Sequence, residues 1–332
     1  MHKLNETHIR DPYILPCNNK TAEKKFAKEK KRHKIWQGIC RDRILYLMLI
    51  PFVLYYILFL YMPIFGLQIA FKDYSPLKGI LDSPWVGWKH FINFFTGPYA
   101  WRVIRNSFVI NIYDLCINFT ATVVLALLFN EIASKRVRTA VQTIVYMPHF
   151  VSTVVAAGMT VSLLSPSAGI VNVILSRLGF SKVYFLAEPR YFRLIYTLMT
   201  GWQTVGFGTI VYTSAICGID DSLYEAADID GAGRIQKIRY ITLPGIAATI
   251  TVMLIMKIGQ MLNSSAESIL LLYQPITYET ADVISTYVYR EGLESTNYSY
   301  STAVGLFNGV VSFIMVMGAN RISHKINDEG LW

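Results

Sequence analysis

The segment from Asp220 to Pro244 concentrates residues whose types and spacing can do directed work. It opens Asp220-Asp221-Ser222-Leu223-Tyr224-Glu225-Ala226-Ala227-Asp228-Ile229-Asp230-Gly231-Ala232-Gly233 and runs on to Leu243-Pro244. Ser222 followed at the i+3 position by Glu225 predicts a capping box, in which each side chain accepts the other's unpaired backbone N–H. The acids Asp220, Asp221, Glu225 and Asp228 complement the positive end of a helix dipole. Gly231 supplies the left-handed backbone that ends a helix. The spacing therefore predicts a free-standing helix of about nine residues, about 13 Å long. A second short helix from Arg234 to Ile241 is expected to follow, stopped by Pro244. A helix of that length is marginal alone in water. Ala226 and Ala227 leave a small-residue face through which another surface can approach, the profile of a docking element. The alternative is a loop helix packed on its own bundle.

A second set of residues is polar in apolar surroundings: Asn111, Asp114, Trp202, Gln203, Thr204, Lys257, Gln260, Asn263, Glu267 and Asn308. Ionisable groups are costly in hydrocarbon and face a bundle interior or a pathway. Sugar sites combine aromatic faces with amides and hydroxyls, and Trp202-Gln203-Thr204 with Tyr273 offers both. Trp202, Gln203, Thr204, Lys257, Asn263, Tyr273 and Asn308 are the candidate substrate-pathway residues. Lys257 and Asp114 can instead pair with each other or with a partner subunit, and any of these residues can serve helix packing alone. The histidines are His2, His8, His33, His90, His149 and His324, and only His149 approaches an apolar run. Cys17, Cys40, Cys116 and Cys217 form no CxxC pair and have no histidine at metal-ligand spacing. No G-x-x-x-x-G-K-[ST] phosphate loop occurs, since Gly231-Ala232-Gly233 lacks the lysine and a preceding strand. No cofactor or metal is expected in this chain, and no catalytic residue.

The elements that position these residues are membrane helices. The 332 residues are 53% hydrophobic and 16% charged, yet carry a net charge of +9. That balance excludes a disordered protein, a secreted disulfide scaffold and an ordinary soluble enzyme. Six stretches approach the roughly 20 apolar residues a helix needs to cross a bilayer. They are Ile44 to about Ala70, about Asn106 to Phe129, about Ala140 to Leu164, Tyr191 to Ile216, Ile246 to about Leu272, and Thr302 to Ala319. The first 43 residues hold 12 of the 31 Lys and Arg, including Lys24, Lys25, Lys28, Lys30, Lys31, Arg32 and Lys34. Lys135, Arg136 and Arg138 follow the second stretch, Arg234, Lys237 and Arg239 the fourth, and Arg321 and Lys325 the sixth. With six crossings these segments share one side, so both termini are expected in the cytoplasm. Lys72, Lys89, Arg102, Arg105, Lys182 and Arg190 fall in outer loops on this reading and oppose the bias without reversing it. The expected organisation is a basic cytoplasmic tail (1–43), a six-helix domain (44–320) containing the loop 219–245, and a short cytoplasmic tail (321–332). The basic tail reads as a topology anchor, with nucleic acid or anionic lipid recognition as its alternative. It is not a cleavable leader, because about 40 polar residues precede the first apolar run. Trp88, Phe91, Phe94 and Phe95 predict one aromatic face on a short outer interfacial helix, or a sugar-stacking platform. A short amphipathic helix and a loop are expected from about Ile170 to Arg190.

The loop makes the chain recognisable. Glu225-Ala226-Ala227, then Gly231, then Ile241 and Leu243-Pro244 resemble the EAA loop of ABC importer permeases at every spaced position. Tyr61-Met62-Pro63, Trp85-Val86-Gly87 with Phe91, and Arg102-Val103-Ile104-Arg105-Asn106-Ser107 are similar to the carbohydrate-uptake branch of that family. Leu271-Leu272-Tyr273-Gln274-Pro275, Asn320-Arg321-Ile322-Ser323 and Leu331-Trp332 add to the likeness, which covers about residues 40 to 332. Gly233 departs from the more usual polar residue at its position. The resemblance implies an all-α, type I importer permease with a cytoplasmic coupling helix seated in a groove of an ATPase. Ser222, Glu225, Ala226, Ala227, Gly231, Leu243 and Pro244 are the implied coupling residues. It further implies a second permease subunit, two cytoplasmic ATPase subunits that bind ATP and Mg, and an external solute-binding protein delivering the ligand. The outer Arg and Lys residues suit an anionic oligosaccharide, alginate or another uronate, with a neutral sugar as the alternative. An ion-coupled secondary transporter or an intramembrane enzyme would leave the Glu225-to-Pro244 pattern unexplained.

Overall fold

The computed structural model describes residues 41–327. The basic run from Lys24 to Lys34 and the terminal Leu331-Trp332 lie outside them. Among the described residues the architecture is helical, and the one β-type contact is an isolated antiparallel bridge between Lys72 and Trp85. The chain divides into two compact units, one ending at Gly66 and the other beginning at Leu67. This division falls inside the first helix and coincides with neither expected boundary.

Helix α1 runs Arg43–Phe71. From Arg43 to Phe65 every residue is exposed, and nearly all are apolar, the pattern of a helix whose solvent is lipid or another protein. Pro63 does not break it. A π turn at Ile57–Tyr61 precedes the proline, and Met62 N–H reaches back to Ile57 O. The widened turn takes up the position at which a proline ring would strike the carbonyl four residues earlier.

In the second unit, α2 is Lys89–Thr96 and α3 is Ala100–Asn130. Helix α4 is Lys135–Phe150, α5 is Thr153–Leu164, and α6 is Ile170–Arg177. Then follow α7, Pro189–Ile216, α8, Asp221–Ile229, α9, Arg234–Gly245, and α10, Ala247–Gly259. Helix α11 is Ala266–Leu270, α12 is Ile284–Tyr289, and α13 is Tyr298–Asn327.

Three helices, α1, α3 and α13, are long and apolar enough to cross a membrane alone, and the bent pairs α4–α5 and α9–α10 bring the number to five. Helix α7, the fourth expected span, has 28 residues. At 1.5 Å per residue it is about 42 Å long, sufficient to cross, although its polar residues leave it less apolar than α1, α3 and α13.

Several expected boundaries move. The third stretch is not one straight helix: α4 and α5 meet at 95°. Pro148 closes α4 in a 3-10 turn, and Ser152 restarts the chain by accepting Val155 N–H at 3.3 Å. The fifth does not reach Leu272, because α10 ends at Gly259 and Ser265 caps the separate α11. The second starts at Ala100, so Arg102 and Arg105 are helical, not loop residues. The last helix continues to Asn327, past the expected end at Ala319. Lys72, expected as a loop charge, is buried, its Nζ donating to Ile80 O at 2.7 Å and Leu81 O at 3.0 Å.

The aromatic stripe of α2 splits. Phe94 enters the core beside Tyr287 and Phe307, while Trp88 and Phe91 cluster on Phe71. The helix and loop expected from Ile170 form as read, tied by Asn172, which donates to Val183 O at 2.9 Å and accepts Val183 N–H at 2.8 Å.

Helix α7 is the organising element. Gly201 and Gly206 sit where an added Cβ would collide with Asn118 of α3 and with the Val145 backbone of α4. Small residues let helix backbones approach closely where lipid removes the hydrophobic drive for association. One core cluster packs Phe192, Tyr196 and Met199 of α7 against Ile110, Ala156 and Ile269. Another joins Tyr212 and Ile216 to Ala126 and Ile246. The second cluster holds both ends of the 219–245 loop.

Candidate functional site

The loop departs from α7 through Ile219, which packs with the Tyr212–Ile216–Ile246 cluster. Helix α8 then forms over nine residues, as the sequence predicts. Its cap differs from the expectation. Asp220 is the capping residue, accepting Ser222 N–H at 2.9 Å, and Ser222 lies one residue inside the helix. Asp220 already has the extended backbone a cap needs, so the aspartate displaces the serine from that role. The hydrogen bonds from Ser222 hold the Asp220 carboxyl below its ordinary value of 3.8.

The other end is a Schellman closure. Gly231 has φ +72°, Ala232 N–H donates to Ala227 O at 2.9 Å, and Gly231 N–H to Asp228 O at 3.1 Å. Gly233 has an ordinary extended backbone and precedes α9, its N–H held by Gln236 Oε1 at 2.7 Å. A side chain at 233 is thus unnecessary, because Gln236 reaches back from the first turn.

Helix α9 does not stop before Pro244. A π turn at Ile238–Thr242 carries it through, with Leu243 N–H bonded to Ile238 O. The same device precedes Pro63. The helix ends at Gly245, and the chain bends 62° into α10.

Two side-chain links fasten α8 to α9. Tyr224 Oη lies 2.9 Å from Thr242 Oγ1, which is buried, and Lys237 pairs with Asp228. No residue of α8 is buried. Glu225 and Ala226 are exposed, as are Leu223, Ile229, Ile235, Tyr240 and Leu243. Pro244 is exposed too. A short helix fixed at both ends thus leaves its apolar and acidic side chains open at the surface.

The candidate pathway residues fall into separate surroundings. Trp202, Gln203 and Thr204 are consecutive on α7, so their side chains diverge by about 100° each. Trp202 lines an apolar cleft of about 380 Å³ with Met159, Leu163 and Leu198. Gln203 donates to Val151 O at 3.0 Å, at the α4–α5 break. Thr204 is exposed and bonds back to Thr200 O at 2.8 Å. Beside this break, His149 stacks on Phe207 with 3.9 Å between ring centroids.

Lys257 Nζ and Asp114 Oδ2 are 2.7 Å apart. Asp114 Oδ1 accepts Asn118 Nδ2 at 2.7 Å, and Asn118 also donates to Thr197 O at 3.0 Å, so the pair is linked to α7. Asn308 Nδ2 donates to Asn263 Oδ1 at 2.6 Å, joining α13 to the turn after α10. Tyr273 stacks on Tyr278 at 4.8 Å and, with Tyr184, Gln274 and Ser165, lines a cleft of about 190 Å³. Among the described residues no His, Cys, Asp and Glu cluster can hold a metal.

Sequence reasoning missed a buried charge cluster at the bundle end opposite the 219–245 loop. Asp282 is fully buried and takes Arg102 Nη2 and Arg290 Nη2, each at 2.9 Å, with Thr286 Oγ1 at 3.0 Å. Asn106 Nδ2 reaches Asp282 O at 3.0 Å, and Arg193 Nη2 reaches Asn106 Oδ1 at 2.9 Å. The available signal was the i, i+4 spacing of Arg102 and Asn106, which puts both on one helix face.

Residues 118–327, from the middle of α3 to the end of α13, match the model of a family described as binding-protein-dependent transport system inner membrane components. The chain belongs to that family. It is 41% identical over 305 residues to the Bacillus subtilis polygalacturonan/rhamnogalacturonan transport system permease protein YteP, covering 92% of this chain and 95% of the relative. It is 41% identical over 292 residues to Protein LplB of Bacillus subtilis, covering 88% and 92%. Among solved structures, it superimposes with TM-score 0.83 at 46% identity on a chain of a bacterial ABC transporter involved in the import of the acidic polysaccharide alginate. That match covers 89% of this chain and 99% of the other. As a binding-protein-dependent transport component, the chain is a membrane permease subunit of the ABC importer type. Its family match contains the whole 219–245 loop and all seven candidate pathway residues.

Proposed function

We propose that this permease moves acidic oligosaccharides built from uronate residues, alginate oligosaccharides above all, inward across the bacterial inner membrane. The observation that carries the reading is the 46% identity and 0.83 TM-score to the alginate importer chain, which spans nearly all of both proteins. A polygalacturonan/rhamnogalacturonan permease at 41% identity supports the same substrate chemistry. A related solved structure holds the alginate importer in complex with an alginate pentasaccharide-bound periplasmic protein. On that basis this chain pairs with a second permease subunit and receives its ligand from an external binding protein. Two ATPases bind ATP and Mg and supply the hydrolysis, so this chain needs no cofactor and performs no catalysis. Helix α8 seats in an ATPase groove through Glu225, Ala226 and Ala227, with Gly231, Leu243 and Pro244 fixing its frame. ATPase closure then moves α8 as a rigid body and, through Ile219 and Ile246, tilts α7 against α10. The 219–245 loop and both termini lie in the cytoplasm, and the Asp282 cluster lies at the outer face.

The test is a ligand panel on the reconstituted complex with its binding protein. Alginate and oligogalacturonate fragments are expected to stimulate ATP hydrolysis, and neutral galactooligosaccharides are not. Stimulation by the neutral glycans alone would refute the substrate assignment while leaving the permease reading intact.

A further inference from the structure

A cavity of about 560 Å³ opens between the end of α3, the start of α4 and the end of α7. Lys135 and Arg138 line it together with Thr139, Gln142, Ser214 and Cys217, and among the described residues no acidic side chain does. We propose that this cavity binds the phosphate of an anionic phospholipid headgroup.

The two cations play different parts. Arg138 is held in place by its own bundle: Nε and Nη2 donate to Ile132 O at 3.3 and 2.9 Å, and Nη2 to Asn130 O at 3.2 Å. Its Nη1 makes no hydrogen bond among the described residues, so a preset guanidinium edge remains for an anion. Lys135 is exposed and has no ion pair among the described residues. The backbone N–H groups that open α4 add to this field, because Ser134 does not cap them with its side chain. The hydroxyls of Thr139 and Ser214 and the Gln142 amide supply further donors and acceptors at the wall.

Position fixes the source of the phosphate. The cavity sits where the long α3 and α7 end, which is headgroup depth for helices of this length. Basic pockets between membrane helices on the cytoplasmic side hold anionic lipid headgroups. That side is the one assigned under the proposed function, and the inference rests on it. Cys217 then leads within three residues to the Asp220 cap of α8. A headgroup bound here braces the end of α7 next to the element that docks the ATPase.

Cys217 is exposed and lines the cavity, so it reports occupancy directly. The test uses the assembled transporter with the permease's Cys17, Cys40 and Cys116 replaced by serine. The rate of Cys217 modification by N-ethylmaleimide is compared in nanodiscs of phosphatidylcholine alone and with phosphatidylglycerol. Phosphatidylglycerol is expected to slow the reaction, and Lys135→Gln to weaken that protection about fivefold, the factor one basic side chain supplies near an anionic surface. Equal rates in the two lipids, or full protection retained by Lys135→Gln, would overturn the proposal. Equal protection by inorganic phosphate in phosphatidylcholine discs would overturn its assignment to lipid. Sealed vesicles and a membrane-impermeant maleimide test the orientation separately. Labelling of Cys217 from the outside overturns the cytoplasmic placement, whereas the nanodisc comparison, open on both faces, still reads lipid binding.

Discussion

Gly231→Val isolates the closure of α8 from its contacts. A Cβ built on Gly231 meets no atom within 4 Å, so the substitution introduces no collision. What it changes is backbone: φ is +72°, a region that costs a non-glycine residue about 1–2 kcal/mol, with β-branched side chains at the upper end. Relief of that strain breaks the bonds from Ala232 to Ala227 and from Gly231 to Asp228, which close the last turn. With no residue of α8 buried, the permease offers little packing to hold the turn in place. The cost therefore appears in docking. ATPase subunits should bind the solubilised permease pair about 5- to 30-fold more weakly, the range that 1–2 kcal/mol spans. Gly231→Asn, which tolerates the left-handed region, should keep most of the affinity. Gly233→Ala should be neutral, because its backbone is ordinary and the nearest atom, Gln236 Oε1, is 3.6 Å away. Equilibrium binding of the purified ATPase, with membrane insertion checked in parallel, reads all three variants. Wild-type affinity for Gly231→Val, or loss for Gly233→Ala alone, would refute the argument that the Schellman turn presents the docking surface.

Other outcomes follow from the same structure. Asp282→Ala leaves Arg102 and Arg290 facing each other without their carboxylate, which should cost about 3–5 kcal/mol and show as a lower unfolding temperature of the purified permease. Lys257→Met and Asp114→Asn should each impair ATP-coupled uptake, and the double variant should recover part of the loss; additive losses would count against a mutual pair. Asp220 has a lowered folded pKa, so its contribution is present above the unfolded value near 3.8 and is lost as pH falls through the lower folded value. Protection of the Ser222 amide, corrected for intrinsic exchange, should fall in that window, and in Asp220→Asn the decline should vanish.

Much of this was legible because local chemistry decides it. A nine-residue helix, its left-handed stop at Gly231 and the short helix from Ile170 follow from residue types a few positions apart. The choice of Asp220 over Ser222 as cap was harder, since both are good capping residues and the backbone at 220 decides. Pro244 misled for a physical reason: a proline stops an α-helix, yet a π turn placed just before it lets the helix continue. Tertiary relations were less visible. Hydropathy reads Ala140 to Leu164 as one run, while the fold bends it 95° to set Val151 O against Gln203. Nothing near Asp282 in the sequence announces that Arg102, about 180 residues away, will share its burial. Trp202-Gln203-Thr204 looks like one surface in a line of text, but helical geometry sends the three side chains apart.

The central claim is that ATP drives an acidic oligosaccharide through this permease by way of helix α8. Its most direct test is uptake of a labelled alginate oligosaccharide into proteoliposomes carrying the complete transporter with its binding protein. The wild type should accumulate the sugar only with ATP inside the compartment that faces the ATPases. Glu225→Lys should abolish ATP-driven uptake while the permease pair still inserts and still binds the loaded binding protein. Accumulation without ATP, or undiminished uptake by Glu225→Lys, would contradict the account.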